Sequence, residues 1–489
     1  MLWSDLREYL ATLEEAGDLT KINGADWDLE IGAITEMMVE RGGPALLFDE
    51  IPGYPKGFRI AANLTQKPQH VARIFGLDHE APAQQIAEEW DRVRLMMEPV
   101  PPIEVPTGPV MQNVLTGGSI DLLKFPAPKW HEEDGNRYLG TGVCVVQRDP
   151  ETDYVNVGCY RVAVQDRTTC GIFQSANNHG DRIRRKYWAR GEKCPVVIVV
   201  GEDPILTVLA GGAFYRAPWG TSEYDIAGYL QGDSYPVVKG PVTGLPIPAS
   251  AEIVMEGFIL SPDDRLEPEG PFGEWTGYYG HGRRPETVIE VAAVYHRDDP
   301  IIFGDPPIRP IRAYKEVRFY NWGAETKARL EEQGIKGIKS VFQIARPSFS
   351  VVALEQMYEG HVADVIRALA PGGDHGVGHQ IWVCVDDDID PTNTKEVLWA
   401  IASRLIPERG ITIVPGTATD QLNPRVPPGE RSDPSQQGRK PYEAHDLVIN
   451  ACRPYEWKDE FPPVNKNSRE LTASIQEKWQ SLFRGLPEL

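Results

Sequence analysis

The sequence predicts a multidomain protein of the α+β or α/β class with a β-rich centre. Its 489 residues exceed the size at which a single hydrophobic core stops growing, about 250–300 residues. Segments rich in β-branched residues dominate the middle of the chain, whereas helical and strand patterns alternate after residue 315. We therefore expect an N-terminal α/β unit, a central β-barrel or sandwich, an α/β domain, and a tail with a terminal helix, at residues 1–115, 116–315, 316–455 and 456–489.

The N-terminal unit opens with an amphipathic pattern. A helix that ends near Gly17 is predicted by four apolar residues at helical spacing: Leu6, Tyr9, Leu10 and Leu13. Residues 28–50 predict a second helix and then a buried strand at Ala45–Phe48. The segment Pro99–Pro109 contains five prolines, so we expect an extended linker or a sheet edge there.

The central part is predicted to be a set of short strands. β-branched residues bounded by turn residues occur at Thr141–Val146, Tyr154–Gly158, Pro195–Val200 and Ala251–Met255. Strands that follow one another this closely, with glycine between them, are typical of a barrel or a sandwich.

The C-terminal part has the alternation of a layered α/β domain. Helices are predicted at Val362–Leu369 and Thr394–Leu405, and strands at Gln380–Val385 and Ile411–Val414. Residues 420–445 are rich in Pro, Gly, Ser and Arg, which indicates a long polar loop. A terminal helix at 468–484 has an apolar stripe of Leu471, Ile475, Trp479 and Leu482. Because such a stripe needs a partner, we expect a homodimer or a higher homo-oligomer built from dimers.

Composition excludes several classes of partner. The net charge of −21 disfavours binding to nucleic acid or to an anionic membrane surface. A basic cluster between Arg182 and Lys193 is interpreted as a solvated helix face or as a set of pairs with acidic residues. The six cysteines form no C-x-x-C pair and are expected to be reduced and mostly buried. Without a signal-peptide pattern or a run long enough to span a bilayer, the sequence predicts a cytoplasmic protein.

Common catalytic signatures are absent from the sequence. No G-x-G-x-x-G fingerprint follows a strand, and no G-x-x-x-x-G-K-[ST], H-E-x-x-H or G-x-S-x-G motif occurs. These absences argue against a hydrolase or a kinase built on those devices.

Two carboxylates lie five residues apart in the segment Glu269-Gly-Pro-Phe-Gly-Glu274. Two glycines and a proline between them favour a tight loop, which can turn both side chains toward one cavity. Phe272 and Trp275 are placed to exclude water from that cavity. Paired carboxylates in such surroundings have pKa values that are pushed apart. The alternative interpretation is a surface turn with both acids in solvent.

A second group of polar residues interrupts the apolar strand patterns. Asn156 and Arg161 are five residues apart, so in a regular strand they would point to opposite faces, and a bulge at Gly158 would bring them together. Asn178-His179 follows an apolar run, and Ser222-Glu223 comes later.

Asn156, His179 and Glu223 together offer O, N and O ligands, which suit Mn²⁺ or Mg²⁺ better than zinc held by thiolates. The alternatives are a solvated histidine and, at Ser222, a helix N-cap followed by its first-turn acid.

These four motifs, in this order and at these separations, resemble the UbiD family of prenylated-flavin-dependent decarboxylases. The motifs are Asn156-x4-Arg161, Asn178-His179, Ser222-Glu223-Tyr224 and Glu269–Glu274. The resemblance covers nearly the whole chain, from Leu29–Ala33 through Gly140-Thr141-Gly142 to Val385–Asp388. It implies a flavin-binding central domain like a split β-barrel, and a C-terminal α/β domain that serves in oligomerisation.

The resemblance also implies roles for individual residues. Arg161, Glu269 and Glu274 match the family's catalytic network, with Glu274 as proton donor, and Asn156, His179 and Glu223 match the ligands of a divalent metal. The metal is usually Mn²⁺ and clamps the phosphate of prenylated FMN. Contacts to that cofactor are implied at Thr141, Asn156, Val157, Gly158, Cys159, Tyr160, Arg161, Asn178, His179, Ala213, Tyr215 and Glu223. Backbone carbonyls near Ala213 and Tyr215 would hold K⁺ beside the flavin.

The implied activity is reversible, non-oxidative decarboxylation of an aromatic, heteroaromatic or α,β-unsaturated carboxylic acid, with release of CO₂. A flavin prenyltransferase would supply the cofactor. One departure from the family pattern is Gln380, at a position where a lysine often binds the cofactor phosphate. Either this change weakens phosphate binding, or His375 or His379 substitutes for the lysine. Two other functions were weighed: a non-catalytic scaffold or subunit of the same fold, and an ordinary flavin oxidoreductase on a split β-barrel.

Overall fold

The computed structural model describes residues 3–483 apart from residues 79, 82, 176–177, 212–217, 275, 281, 310–322, 324, 346–348, 370–380, 420–421 and 428–441. The helices include α1 Leu6–Glu15, α2 Glu30–Glu40, α3 Pro68–Ile74, α4 Ala83–Met96, α5 His179–Ala189, α6 Pro204–Ala210, α7 Glu223–Gln231, α8 His361–Leu369, α9 Thr394–Arg404, α10 Pro407–Gly410, α11 Arg469–Lys478 and α12 Gln480–Phe483. Within that part of the chain, no helix is both long enough and apolar enough to cross a membrane.

The strands form four sheets. They are β1 Leu19–Asn23, β2 Ala45–Asp49, β3 Arg59–Ala62, β4 Ile103–Glu104, β5 Asn113–Thr116, β6 Arg137–Gly140, β7 Val143–Arg148, β8 Val155–Gly158, β9 Val162–Val164, β10 Thr169–Ile172, β11 Cys194–Val200, β12 Pro236–Lys239, β13 Pro246–Pro248, β14 Ile253–Ile259, β15 Leu266–Glu269, β16 Arg284–His296, β17 Ile301–Gly304, β18 Ile338–Ala345, β19 Phe349–Leu354, β20 Ile381–Asp386, β21 Ile411–Thr419 and β22 Tyr442–Ala451.

The N-terminal unit is a small α/β layer, as predicted. The Asp5 side chain caps α1 by accepting from the Glu8 N–H at 2.9 Å, and the four apolar residues of the predicted stripe are all buried. The sheet has the order β1-β2-β3-β17, so strand β17 returns from late in the sequence to complete it. The proline-rich segment contributes only the two-residue strand β4, which pairs in parallel with β12 at a sheet edge.

A ten-stranded sheet forms the centre of the molecule. Its path is β6-β9-β10-β16-β14-β11-β7-β8, and both β15 and β5 also pair with β16. Strand β11 is buried on both faces, since Val197 and Val199 lie in one core cluster while Val196 and Ile198 lie in another. Burial on both faces explains why this segment reads as a continuous apolar run rather than an alternating one. The sheet curls into a half-barrel, which agrees with the barrel-like central domain that the family resemblance implied.

The C-terminal domain is built on a five-stranded mixed sheet with the order β18-β19-β20-β22-β21. The predicted helices and strands of this domain occur, although Gln380 lies outside the described residues and β20 begins at Ile381. The polar loop predicted at 420–445 ends earlier than predicted. Strand β22 begins at Tyr442, because residues 442–445 pair with Thr419–Pro415 of β21.

The terminal helix is interrupted where one continuous helix was predicted. Helix α11 ends at Lys478, and Trp479 leaves helical geometry with φ −116° and ψ 31° before α12 begins. The predicted apolar stripe is exposed on this chain: Leu471 is 48%, Ile475 is 40%, Trp479 is 51% and Leu482 is 65% accessible.

The basic cluster pairs with acidic residues. Arg184 and Arg185 both contact Asp181, and Lys186 contacts Asp149 at 2.8 Å. All six cysteines are free thiols, and five are buried while Cys159 is partly exposed. The limits of the four predicted parts stay a prediction.

Candidate active site

The loop that follows β15 buries both predicted carboxylates. Glu269 is 1% and Glu274 is 8% exposed, so the interpretation as a solvent-facing turn was wrong. The loop is tight, since Gly270 has φ 84° and its N–H donates to Asn136 Oδ1 at 3.1 Å. Gly135 packs so closely that a Cβ there would lie 1.8 Å from the Gly270 carbonyl oxygen. The segment that contains Gly135 and Asn136 therefore packs directly against the loop that leads from Glu269 to Glu274 and restricts its position.

Arg161 joins the two carboxylates in one network. Its Nε donates to Glu269 Oε1 at 2.9 Å and its Nη2 donates to Glu269 Oε2 at 2.8 Å. Its Nη1 donates to Glu274 Oε1 at 2.5 Å. The pairing with Glu269 is bidentate, which fixes the plane of the guanidinium as well as its position.

Burial sets the charge states in this network. Burial lowers the pKa of Arg161, but the charges of Glu274 and Glu269 raise it by more, so the net direction is upward. Burial raises the pKa of Glu274, and the nearby Arg161 opposes that rise without cancelling it. Arg161 therefore stays charged, whereas Glu274 is able to hold a proton at a higher pH than an ordinary glutamate.

Aromatic rings surround the guanidinium. The Cζ atom of Arg161 lies 4.3 Å from the Phe173 ring centroid and 5.3 Å from that of Phe272. Phe272 is buried, as expected of a residue that excludes water, whereas Trp275 lies outside the described residues. Sequence reasoning missed Phe173 and Tyr138, whose ring lies 4.2 Å from that of Phe272. The only signal for Tyr138 is its place just before the Gly140-Thr141-Gly142 segment.

Asn156 and Arg161 reach the site without the predicted bulge. Strand β8 pairs with β7 in unbroken register through Gly158, so the bulge at that residue was wrong. The strand ends there instead, and Arg161 lies in the connection to β9. The strand end frees Arg161 from the alternation of the strand, which is why it need not face away from Asn156.

The structure brings the three candidate metal ligands together around β8. The Tyr154 hydroxyl lies 3.4 Å from Asn156 Oδ1 and 3.0 Å from His179 Nδ1. Glu223 Oε2 accepts from the Val157 N–H at 2.7 Å. His179 and Glu223 are the first residues of α5 and α7, so two helix starts lie beside the strand that carries Asn156.

The helix-cap interpretation of Ser222 was also correct, because its side chain accepts from Tyr224 N at 3.4 Å. The cap accounts for Ser222 but not for Glu223, whose carboxylate is buried and reaches across to β8. Asn178 likewise caps α5 by accepting from Asp181 N at 2.8 Å.

The chemistry of these ligands fits a hard divalent cation. Asn156 Nδ2 is buried and has no hydrogen-bond partner, so the amide is held by its oxygen side. With protein neighbours only, burial raises the pKa of Glu223 to about 8, a cost that a bound cation would offset. Among the described residues no group of three His, Cys, Asp or Glu side chains forms a metal cluster, so a site here depends on the Asn156 amide. Two oxygens and one nitrogen suit Mn²⁺ or Mg²⁺.

Several of the residues predicted to contact the cofactor are linked to one another or to neighbouring backbone by short contacts. Cys159 Sγ lies 3.6 Å from the Thr141 carbonyl oxygen, and Thr141 Oγ1 accepts from Asp305 N at 2.9 Å. The Tyr160 hydroxyl accepts from the Gly180 N–H at 3.2 Å, which ties the chain after β8 to the start of α5. Two more of these residues, Val157 and Gly158, are buried within β8. Ala213 and Tyr215, predicted near K⁺, lie outside the described residues.

Comparison with known proteins places the chain in a family. The model of the 3-octaprenyl-4-hydroxybenzoate carboxy-lyase Rift-related domain, UbiD, matches residues 103–310. The models of the N-terminal and C-terminal domains of the same carboxy-lyase match residues 10–90 and 323–448. A phenolic acid decarboxylase of Streptomyces sp. (strain D7) is 31% identical, over 88% of this chain and 90% of that protein. A pyrrole-2-carboxylic acid decarboxylase of Pseudomonas aeruginosa is 30% identical, over 97% of each chain.

Solved structures agree with the sequence relatives. The UbiD-class enzyme HmfF from Pelotomaculum thermopropionicum in complex with FMN has a TM-score of 0.79 at 25% identity, covering 96% of this chain and 98% of that one. An evolved dimeric form of the same enzyme, in complex with prFMN, has a TM-score of 0.76 at 25% identity over the same shares. The protein is therefore a carboxy-lyase and belongs to the UbiD family, as the sequence motifs indicated.

We predict that His179→Ala or Glu223→Ala lowers metal and flavin content together, because one cation would bridge these side chains and the cofactor phosphate. Metal affinity should fall at least about tenfold, as it does when the surroundings of a metal ligand are disturbed. Elemental analysis and flavin absorbance of the purified proteins measure both quantities. His361→Ala is the matched control, since His361 is also the first residue of a helix but lies in the C-terminal domain. Full metal without flavin, or full flavin without metal, would contradict the coupling.

Proposed function

We propose that the protein catalyses reversible, non-oxidative decarboxylation of an aromatic or heteroaromatic carboxylic acid with prenylated FMN as cofactor. The observation that carries this proposal is the buried Arg161–Glu269–Glu274 network, in which one cation is held between two carboxylates. The names of the relatives support the substrate class, since one acts on phenolic acids and another on pyrrole-2-carboxylic acid. An α,β-unsaturated acid stays within the range that the motifs predict.

Arg161 is suited to bind the substrate carboxylate. A guanidinium has five N–H donors, and Glu269 and Glu274 engage three of those on Arg161. The two remaining N–H groups can donate to a substrate carboxylate in the planar geometry that arginine favours. Glu269 holds the guanidinium by two parallel hydrogen bonds, so the cation does not need to reorient when a substrate enters.

Glu274 is suited to deliver a proton. When bound, prenylated FMN supplies the electron sink for the electron pair that remains on carbon as CO₂ leaves. The carbon then needs a proton, and burial keeps a proton on Glu274 to higher pH than on an exposed glutamate. Its hydrogen bond with Arg161 fixes where that proton is presented. Phe173 and Phe272 exclude water from the same place.

Asn156, His179 and Glu223 would hold Mn²⁺ or Mg²⁺ against the cofactor phosphate, and K⁺ would bind near Ala213 and Tyr215. The support for the flavin is that the related HmfF was solved with FMN and with prFMN. A flavin prenyltransferase would be the partner that supplies the cofactor. The four domain limits, the cytoplasmic location and the consequence of Gln380 stay predictions.

The two other functions are less well supported. A non-catalytic scaffold has no need for a cation bound to two buried carboxylates, because burying unequal charge costs free energy. An ordinary flavin oxidoreductase does not account for relatives named as decarboxylases over nearly the full chain length.

We predict that Glu274→Gln abolishes CO₂ release from a panel of aryl and heteroaryl acids, with a loss of about 10²–10⁴-fold, while flavin content is unchanged. The amide has the same shape as the acid but cannot deliver a proton. Because burial raises the pKa of Glu274, wild-type activity should fall with rising pH only above the ordinary glutamate value of 4.5.

The matched control for this variant is Glu267→Gln. Glu267 lies on β15, which leads into the loop that carries Glu274, and its partly exposed side chain pairs with Arg265. Most of the wild-type rate in Glu274→Gln would show that Glu274 is not the proton donor, and no release from any acid by wild-type holoenzyme would contradict the proposed function.

We also propose that the chain is a homodimer, or an oligomer of dimers, that covers the exposed stripe on α11 and α12. A second copy is the occupant that the observations favour, because a dimeric form of the related HmfF has been solved. Leu471→Glu with Ile475→Glu should shift the mass measured by light scattering from a multiple of 54.5 kDa toward 54.5 kDa at micromolar protein. Ala473→Glu, on the opposite side of the same helix, should leave the mass unchanged. A wild-type monomer would refute the proposal.

A further inference from the structure

Tyr138 makes a hydrogen bond to the catalytic network that no motif indicated. It lies on β6, is fully buried, and donates from its hydroxyl to Glu269 Oε1 at 2.8 Å. Burial raises the pKa of Tyr138, and the neighbouring charge of Glu269 raises it further, so the hydroxyl keeps its proton and acts as a donor. The two residues are 131 positions apart, and the fold alone brings them together.

The donors to Glu269 come from two directions. Oε1 accepts from Tyr138 and from Arg161 Nε, and Oε2 accepts from Arg161 Nη2. Arg161 alone could move together with Glu269 as a rigid pair. Tyr138 adds a second support from a different strand of the central sheet, because β6 pairs with β9 whereas Glu269 ends β15, which pairs with β16. Its ring also packs at 4.2 Å against Phe272, on the loop that carries both glutamates.

We propose that Tyr138 is a positioning residue for the decarboxylation, whose hydroxyl holds Glu269 as a carboxylate and so keeps Arg161 oriented toward the substrate. The inference rests on the proposed function. Tyr138 acts through Glu269, and none of its contacts in the described structure reaches the three candidate metal ligands. Removal of the hydroxyl leaves Oε1 with one donor and lets the carboxylate rotate about its bidentate partner.

The central sheet contains a matched pair with the same chemistry but no link to the site. The Tyr295 hydroxyl donates to Glu256 Oε2 at 2.7 Å, and both side chains are buried. Glu256 also accepts from the backbone N–H groups of Val242 and Thr243, so its hydrogen bonds serve a turn of the chain. Loss of the Tyr295 hydroxyl therefore reports the structural effect of removing a buried Tyr–Glu hydrogen bond.

Several charged groups lie around Glu269 and contribute to any pH profile. Arg161 and Glu274 contact one another beside it, and Arg284 lies opposite it across the β15–β16 pairing. Glu286 interacts with Glu269, and burial raises the pKa of Glu286. Asp134 interacts with Tyr138. The same groups are present in wild-type protein and in a tyrosine variant, so the difference between the two profiles isolates the lost hydroxyl.

The test compares Tyr138→Phe, Tyr295→Phe and wild-type holoenzyme with one acid that the wild type decarboxylates. A hydrogen bond to a charged group is lost in Tyr138→Phe, and kcat/KM should fall about tenfold to a hundredfold. The acidic limb of its pH profile should move to higher pH, because the network loses one hydrogen-bond donor to its carboxylate. Flavin content should not change, and Tyr295→Phe should stay within about twofold of wild type at every pH.

A second measurement does not depend on turnover. The denaturant midpoints of wild type, Tyr138→Phe, Glu269→Gln and the double variant form a double-mutant cycle. The change in midpoint of the double variant should differ from the sum of the changes in the two single variants. Additive midpoints, or an active wild type with an unshifted profile in Tyr138→Phe, would overturn the inference. Equal losses in Tyr138→Phe and Tyr295→Phe would also overturn it, since the effect would then be structural. A wild type that releases no CO₂ contradicts the proposed function instead, and the cycle alone then decides whether Tyr138 and Glu269 are coupled.

Discussion

A single guanidinium between two buried carboxylates is the interaction on which the site depends. Arg161 contacts Glu269 through two hydrogen bonds and Glu274 through one. Two acids share one base, so the network carries an excess negative charge in a place from which water is largely excluded. Such an arrangement favours the uptake of a proton by one carboxyl. Burial raises the pKa of Glu274, and a carboxyl that can hold a proton beside a cation suits the final step of the decarboxylation that we propose.

The central sheet positions the residues of this network. Strand β8 ends just before Arg161, and β15 ends at Glu269, so the chain leaves the sheet at both places. Side chains at strand ends escape the alternation of the pleat and can converge, whereas side chains within the strands are committed to the two cores. The candidate metal ligands meet around β8 itself, because His179 and Glu223 each begin a helix that packs beside this strand, which carries Asn156. The candidate metal ligands and the acid network are therefore linked by the short segment from Asn156 to Arg161.

Local features of the fold were predictable from the sequence. Periodicity predicted α1, the strand at β11 and the alternation of helices and strands in the C-terminal domain, since each of these patterns depends only on residues that are close in sequence. Long-range features were not predictable in this way. The return of β17 to the N-terminal sheet and the contact of Tyr138 with Glu269 depend on which strands pair, and strand order is not encoded in local periodicity. The prediction of a bulge at Gly158 was wrong for a related reason. A strand end and a bulge both free a side chain from the alternation of the strand, and the two look alike in sequence.

The measurement that tests the central claim most directly compares protein expressed with and without a flavin prenyltransferase. Both forms should bind a flavin, because plain FMN offers the same phosphate to the site. Arg161, Glu269 and Glu274 provide only acid–base and positioning help, and acid–base catalysis contributes about 10²–10⁴-fold. We therefore predict CO₂ release from an aryl acid by the form with modified flavin and none by the form with FMN. Substantial turnover by the FMN form, with no modified flavin detected by mass spectrometry, would contradict the account.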